Sequence, residues 1–315
     1  MESHLGSLEV FYSELTPNRA VVHARLRCEE SLAGLSLAGI VRGPRCSRGS
    51  TLPATYRLVP CGPLAPRVEV HSRSECTTMG QVENLSYVRA QALVTEPIFW
   101  SPDWPALYDV TVELRQGSAV VETATRTIGL KPLAVAGRNL VHGGKTWVLR
   151  AIRSEAPAEA ILEQCREHAA ALLAPAESLD EKLLTLSSQE GVLIIAEIAS
   201  GSAAADLSRL NRYAAVAIGV LPSGNGEIRT AASENILLAH RLMQGQTELP
   251  PDDARLVLGE VTDSATFADW ANTLTRPVIA FRPLPLPTDI AVARAECDRL
   301  QRDLAPYGQF AGYIV

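Results

Sequence analysis

Ala106-Leu-Tyr-Asp-Val-Thr-Val-Glu-Leu114 alternates apolar and polar residues, Gln116-Gly-Ser118 turns the chain, and Ala119-Val-Val-Glu-Thr-Ala124 alternates again. A period of two is the mark of a half-buried strand, so this stretch predicts an antiparallel hairpin. Upstream, Ala20-Val-Val-His-Ala-Arg-Leu26 and Arg67-Val-Glu-Val-His71 carry the same period between segments rich in Gly, Pro, Ser and Asn. Roughly seven such runs up to residue 132, without a helical pattern of note, predict an antiparallel β-sandwich.

The character changes near residue 135. Beyond it, apolar runs at 146–152, 169–174, 192–198, 214–221, 255–261, 277–281 and 310–315 alternate with amphipathic patterns. Leu179–Glu190, opened by Asp180-Glu181-Lys182 and stopped by Gly191, reads as a capped helix, and Ala265–Leu274 as another. Ala203–Arg209, Glu234–Met243 and Ala291–Leu304 are rich in Ala and Leu with charges on one side, as barrel-covering helices are. Continuous apolar strands between helices predict a parallel sheet covered by helices. Seven runs are visible where a (β/α)8 barrel needs eight, and about 175 residues are fewer than such a barrel usually takes. Either a strand hides in Gln244–Asp253 or the barrel is reduced. The expected division is a sandwich domain over 1–135 and a barrel domain over 136–315.

With 47% hydrophobic and 20% charged residues the chain has ample material for a core, which excludes a disordered protein. Lys+Arg 29 against Asp+Glu 35 gives a net charge of −6, with the basic residues scattered, so a nucleic-acid partner is not expected. No stretch approaches the roughly 20 apolar residues of a membrane span. Met1-Glu-Ser-His4 lacks the basic-then-apolar order of a signal peptide, which slightly favours the cytoplasm and leaves the compartment open.

Four cysteines fall early (Cys28, Cys46, Cys61, Cys76) and two late (Cys165, Cys297), none in a C-x-x-C. Zinc and thioredoxin-like chemistry therefore lack their spacing, and no cofactor is implied. The early four are either buried free thiols or two disulfides in any of three pairings. The six histidines show no i, i+4 pair, so no metal site is expected.

Pro97-Ile-Phe-Trp100-Ser-Pro-Asp-Trp-Pro-Ala-Leu-Tyr108-Asp-Val-Thr-Val-Glu-Leu114 resembles glycoside hydrolase family 2, which holds β-galactosidases, β-glucuronidases and β-mannosidases. Thr127-Ile-Gly-Leu-Lys-Pro-Leu133 is similar to the family's exit from its Ig-like domain. His142-Gly-Gly-Lys145 and Val148-Leu-Arg-Ala-Ile-Arg153 are similar to its entry into the first barrel strand. Leu179–Leu186, Gly191–Glu197 and Gly308–Val315 resemble its second helix, third strand and last strand. The resemblance spans roughly residues 80–315 and has no counterpart of the family's N-terminal jelly roll. It implies a β-sandwich followed by a TIM-type barrel, and a carbohydrate ligand.

A retaining glycosidase needs an acid/base and a nucleophilic carboxylate about 5 Å apart. The resemblance implies the acid at the end of strand 4 and the nucleophile at the end of strand 7. Those positions fall on Ser223, after Arg212–Pro222, and on Arg282, after Arg276–Phe281. The family's strand-2 Arg has no counterpart in Ala170-Ala-Leu-Leu-Ala174. Neither serine nor arginine can do the work of the missing glutamates.

The remaining acids near strand ends are Glu197, Glu227 in Ser223-Gly-Asn-Gly-Glu227, and Glu260 and Asp263 in Leu258-Gly-Glu-Val-Thr-Asp263, which counts as strand 5 of the visible runs. Barrel chemistry gathers at C-terminal strand ends, so Glu197 and Glu260 are candidates for a relocated acid/base pair. The alternative is that they cap helices or pair with an arginine such as Arg153. Of the aromatic residues, Trp100 and Trp104 belong to the sandwich motif, Trp147 precedes the first barrel strand, and Trp270 lies with Phe267 in a helical pattern. The expectation is a family 2-like protein without retaining hydrolysis, acting as a carbohydrate-binding or assembly module. A barrel short of a strand would leave an edge that a second copy or a partner protein covers.

Overall fold

The computed structural model describes residues 4–28, 34–61, 86–222, 235–243, 254–284 and 289–315. Two compact units emerge, one made of Met1–Gly43, Pro53–Pro97 and Tyr108–Arg126, the other of Pro44–Leu52, Ile98–Leu107 and Thr127–Val315.

The first unit is built on seven strands: β1 (Leu8–Thr16), β2 (Arg19–Cys28), β3 (Leu35–Arg45), β4 (Ala54–Cys61), β5 (Ser86–Thr95), β6 (Leu107–Gln116) and β7 (Ala119–Ile128). Their order is β1-β2-β5-β4-β3-β6-β7. β4 is shared between two groups: Ala54–Leu58 pair with Gly43–Gly39 of β3, while Val59–Cys61 pair with Gln91–Arg89 of β5. That switch lets one antiparallel sheet curl into a sandwich, as the alternating sequence predicts. In β6 every second residue from Tyr108 to Leu114 is buried, and Val22, Ala24, Ala90 and Ala92 face the same core. Gly39 has φ 149°, and a Cβ there would stand 2.0 Å from the Thr111 carbonyl oxygen, so the two strands approach as closely as they do only because no side chain intervenes.

Leading into the barrel, β8 (Leu133–Ala136), β9 (Asn139–His142) and β10 (Lys145–Thr146) form a small antiparallel sheet. The barrel then runs β11 (Leu149–Arg153), α1 (Glu159–Glu167), β12 (Ala171–Pro175), α2 (Glu181–Glu190), β13 (Ile194–Glu197), α3 (Ala203–Leu210) and β14 (Val216–Leu221). It continues with β15 (Leu237–Leu242), β16 (Leu256–Glu260), α4 (Ser264–Thr273), β17 (Val278–Phe281), α5 (Ile290–Leu304) and β18 (Gly312–Ile314). All eight strands are parallel, and β11 pairs with both β12 and β18 to close the ring.

The strand count corrects the expectation of seven. The eighth is Leu237–Leu242, inside the segment 234–243 read as a helix, and not in 244–253, which lies outside the described residues. Its apolar run is the same whether a strand is buried on both faces or a helix is buried all round. Glu260 therefore ends the sixth barrel strand rather than the fifth. What is reduced is the length of the barrel and not its strand number. A closed ring has no open edge, which removes the reason given for a covering partner.

The helices follow their local signals. Asp180 caps α2 by accepting from the Leu183 amide at 2.7 Å, and Gly191 ends it at φ 76°. Asp289 caps α5 through the Ala291 amide at 2.8 Å. β14 is buried at all six residues because sheet interior and helices cover its two faces.

Inside this unit Trp100 is buried and donates its indole N–H to the Ser188 carbonyl at 2.9 Å. Trp104 packs over Gly49, where a Cβ would meet its ring at 2.2 Å. Lys131 is buried and donates to the carbonyls of Ala214, at 2.9 Å, and Val216 at the start of β14. The desolvated ammonium is pushed down to a pKa of about 7. Cys46 and Cys61 are free thiols, so the two-disulfide alternative does not hold; Cys76 lies outside the described residues.

Candidate functional site

In a barrel of parallel strands all C-terminal ends share one rim, and alternate residues point inward. Gly259 sets the phase of β16. A Cβ there would stand 2.7 Å from Trp270 and 2.9 Å from Phe267, both on α4, so residue 259 faces outward and Glu260 faces the barrel axis. On β11, Arg150 reaches outward to Asp298 and Gln301 of α5, which turns Arg153 inward.

Glu197, at the rim end of β13, is held from two sides. Its Oε2 accepts from Arg153 Nε at 3.3 Å, and its Oε1 accepts from Arg241 Nη2 on β15. Arg153 also pairs with Glu155 at 2.8 Å. Both guanidinium groups lie over the buried ring of Phe281 at the end of β17, with Cζ 5.9 Å from its centroid for Arg153 and 5.3 Å for Arg241. The rim is thus an Arg–Glu–Arg cluster laid on a phenyl ring.

The remaining sequence candidates scatter. Arg282 turns away from the rim and donates to Asp303 of α5 at 2.9 Å. The inward-facing end of β17 is Phe281, and the strand through Arg282 contains no acid. β14 through Pro222 contains none either, and β12 carries no charged residue. Asp263 caps α4, accepting from the Thr266 amide at 2.9 Å and hydroxyl at 2.7 Å; these bonds hold its carboxyl below the usual carboxylate range. Ser223 and Glu227 lie outside the described residues. Among the described residues no cluster of three His, Cys, Asp or Glu side chains stands ready for a metal ion, and no helix is long and apolar enough to cross a membrane.

Sequence reasoning paired Glu197 with Arg153 and missed Arg241 and Phe281. The signal for Arg241 was present: a lone charge in Ile236-Leu-Leu-Ala-His-Arg-Leu242 marks the rim end of a buried strand. Reading the run as a helix hid it.

Residues 63–131 match the sequence model of glycosyl hydrolases family 2. Bacteroides uniformis beta-glucuronidase 2, covalently bound to cyclophellitol-6-carboxylate aziridine, superposes with a TM-score of 0.59 at 12% identity over 98% of this chain and 45% of that one. The fold is that of the family 2 glycoside hydrolases. A family 2 member from Bacteroides cellulosilyticus gives a TM-score of 0.62 at 14% identity, over 98% of this chain and 44% of that one. Bifidobacterium dentium beta-glucuronidase complexed with coumarin-3-O-glucuronide gives 0.62 at 11% identity, over 98% and 59%. The chain therefore spans about half the length of the family 2 structures it matches. A comparison with curated protein sequences finds no match.

Proposed function

We propose that this chain is a non-hydrolytic family 2-like module, in which the sandwich and barrel persist as a carbohydrate-binding or assembly scaffold. The observation that carries the reading is the engagement of Glu197 by Arg153 and Arg241 above Phe281. Glu197 ends β13, not β17 where the resemblance puts the nucleophile, and each of its oxygens already accepts from a guanidinium, so it serves as the anchor of an ion cluster. The end of β17, where the family resemblance puts the nucleophile, offers a phenyl ring and an outward-turned arginine instead.

Two assays test the reading. Aryl β-galactoside, β-glucuronide and β-mannoside should show no turnover above buffer. Cyclophellitol-6-carboxylate aziridine should leave the mass of the intact chain unchanged. Turnover, or a covalent adduct on any carboxylate, overturns the proposal.

One observation favours a second reading, an enzyme with relocated acids. Glu260 at the end of β16 faces the barrel axis, the side on which a relocated acid would have to stand. In that reading turnover exists and is lost in both Glu197→Gln and Glu260→Gln.

A further inference from the structure

At the end of the barrel opposite Glu197 lies a cavity of about 310 Å³. Its walls include Trp147 and Val148 just before β11, Ala170 and Ala171 at the start of β12, and Leu193 just before β13. These are N-terminal strand ends, so the cavity and the rim cluster share no residue. Its volume falls at the lower end of the range typical of small-molecule sites.

The charge of this wall is one-sided. Arg48, Arg150, Arg166 and Arg294 line it, against Asp103 as the lining carboxylate. The carboxylates that pair with these guanidinium groups are not among the lining residues: Glu190 pairs with Arg166 at 2.6 Å, and Asp298 pairs with both Arg150, at 3.0 Å, and Arg294, at 2.6 Å. One carboxylate thus serves two arginines. Arg48 donates to main-chain carbonyls, of Glu190 at 2.5 Å and Asp103 at 3.5 Å. The buried Nε of Arg294 has no hydrogen-bond partner among the described residues. That nitrogen is closed off from the cavity, so it is the one-sided charge of the four lining guanidinium groups that favours an oxyanion there.

Next to these donors stands an apolar face. Trp147 lines the cavity and is tilted against the His142 ring, with centroids 5.9 Å apart. Burial pushes His142 below the usual imidazole range, which leaves it a neutral hydrogen-bonding group at pH 7. A flat wall beside a cationic wall suits a ligand with a small ring and one anionic substituent.

We propose that this basal cavity is a binding site for a small organic oxyanion, a carboxylate or phosphate on a sugar-sized body, held by Arg48 and Arg294 and seated against Trp147. The site is independent of the chemistry at the rim.

Glucuronate, glucose 6-phosphate and uncharged glucose would be titrated into the full chain, followed by calorimetry and tryptophan fluorescence. At least one of the two anions should saturate while glucose does not, and the tighter of the two assigns the anionic group. Arg48→Met and Arg294→Met should each weaken binding about tenfold or more, as loss of a charge-assisted pair does. Arg302→Met, on the exposed side of α5, should leave it unchanged. Trp147→Phe should remove most of the fluorescence response. Arg48→Met alone decides the matter if Arg294→Met does not fold. The proposal is overturned if neither anion saturates at millimolar concentration, if glucose binds equally well, or if both arginine variants bind like the parent chain.

Discussion

Arg241 lies with its Cζ 5.3 Å above the centroid of the Phe281 ring while its Nη2 donates to Glu197. The contact joins β15 to β17 across the rim and fixes the guanidinium from two directions, by charge and by ring. Replacing Glu197 with Gln leaves two arginines sharing a neutral amide. The side chains of both arginines are 31% exposed, so water recovers part of the loss, and the expected cost is about 1–2 kcal/mol. Urea unfolding of Glu197→Gln against the parent chain measures it. An unchanged midpoint would show that the cluster does not hold the rim.

Lys131 makes stability depend on pH. Its folded-state pKa of about 7 lies below the 10.5 of a free lysine, so between these values the unfolded chain binds more protons than the folded one. Stability should therefore rise with pH from about 7 toward 10.5 and be lost again as pH falls through that window. Lys131→Met removes this slope. It also abandons the carbonyls of Ala214 and Val216, which costs about 1–3 kcal/mol at pH 9. Denaturant melts of both proteins at pH 7 and pH 9 check the sign and the size.

Gly259 is where β16 meets α4. A methyl group there would press into Trp270 and Phe267, at 2.7 and 2.9 Å, so Gly259→Ala should destabilise the fold by about 1–3 kcal/mol. At Gly308 the nearest atom to an added Cβ is Asn272 Oδ1 at 3.4 Å, and Gly308→Ala should sit close to neutral. Thermal melts of the pair separate crowding from the general effect of alanine.

The thiols should fall into two classes. Burial raises Cys165 to about 12 and Cys297 to about 11, and both are closed to solvent. Cys46 and Cys61 are partly exposed. A disulfide reagent at pH 8 should label Cys46 and Cys61 in the native chain, and Cys165 and Cys297 only after unfolding. Peptide mass mapping distinguishes the sites; native labelling of Cys165 would contradict its burial.

Much of this protein is written locally. The period of two in Tyr108–Leu114 makes a sandwich strand wherever it is placed, because one face of that strand must be buried. Asp180 and Gly191 stop α2 at both ends through bonds and dihedrals that involve only neighbours in sequence. The motif around Trp100 carried the family resemblance, and the structure shows why it has little freedom: the indole is buried and its N–H is spent on Ser188.

What sequence left open depends on contacts between distant residues. Leu237–Leu242 is a strand because β14 and β16 flank it; its apolar run alone is compatible with either element. The absence of an acid along Val278–Arg282 is visible in the letters, but whether Phe281 or Arg282 turns to the rim is decided by the phase of β17 and by Asp303 on α5. Glu197 likewise looks available in one dimension. Only the parallel pairing of β11 through β15 brings Arg153 and Arg241, 44 residues away on either side, onto its two oxygens.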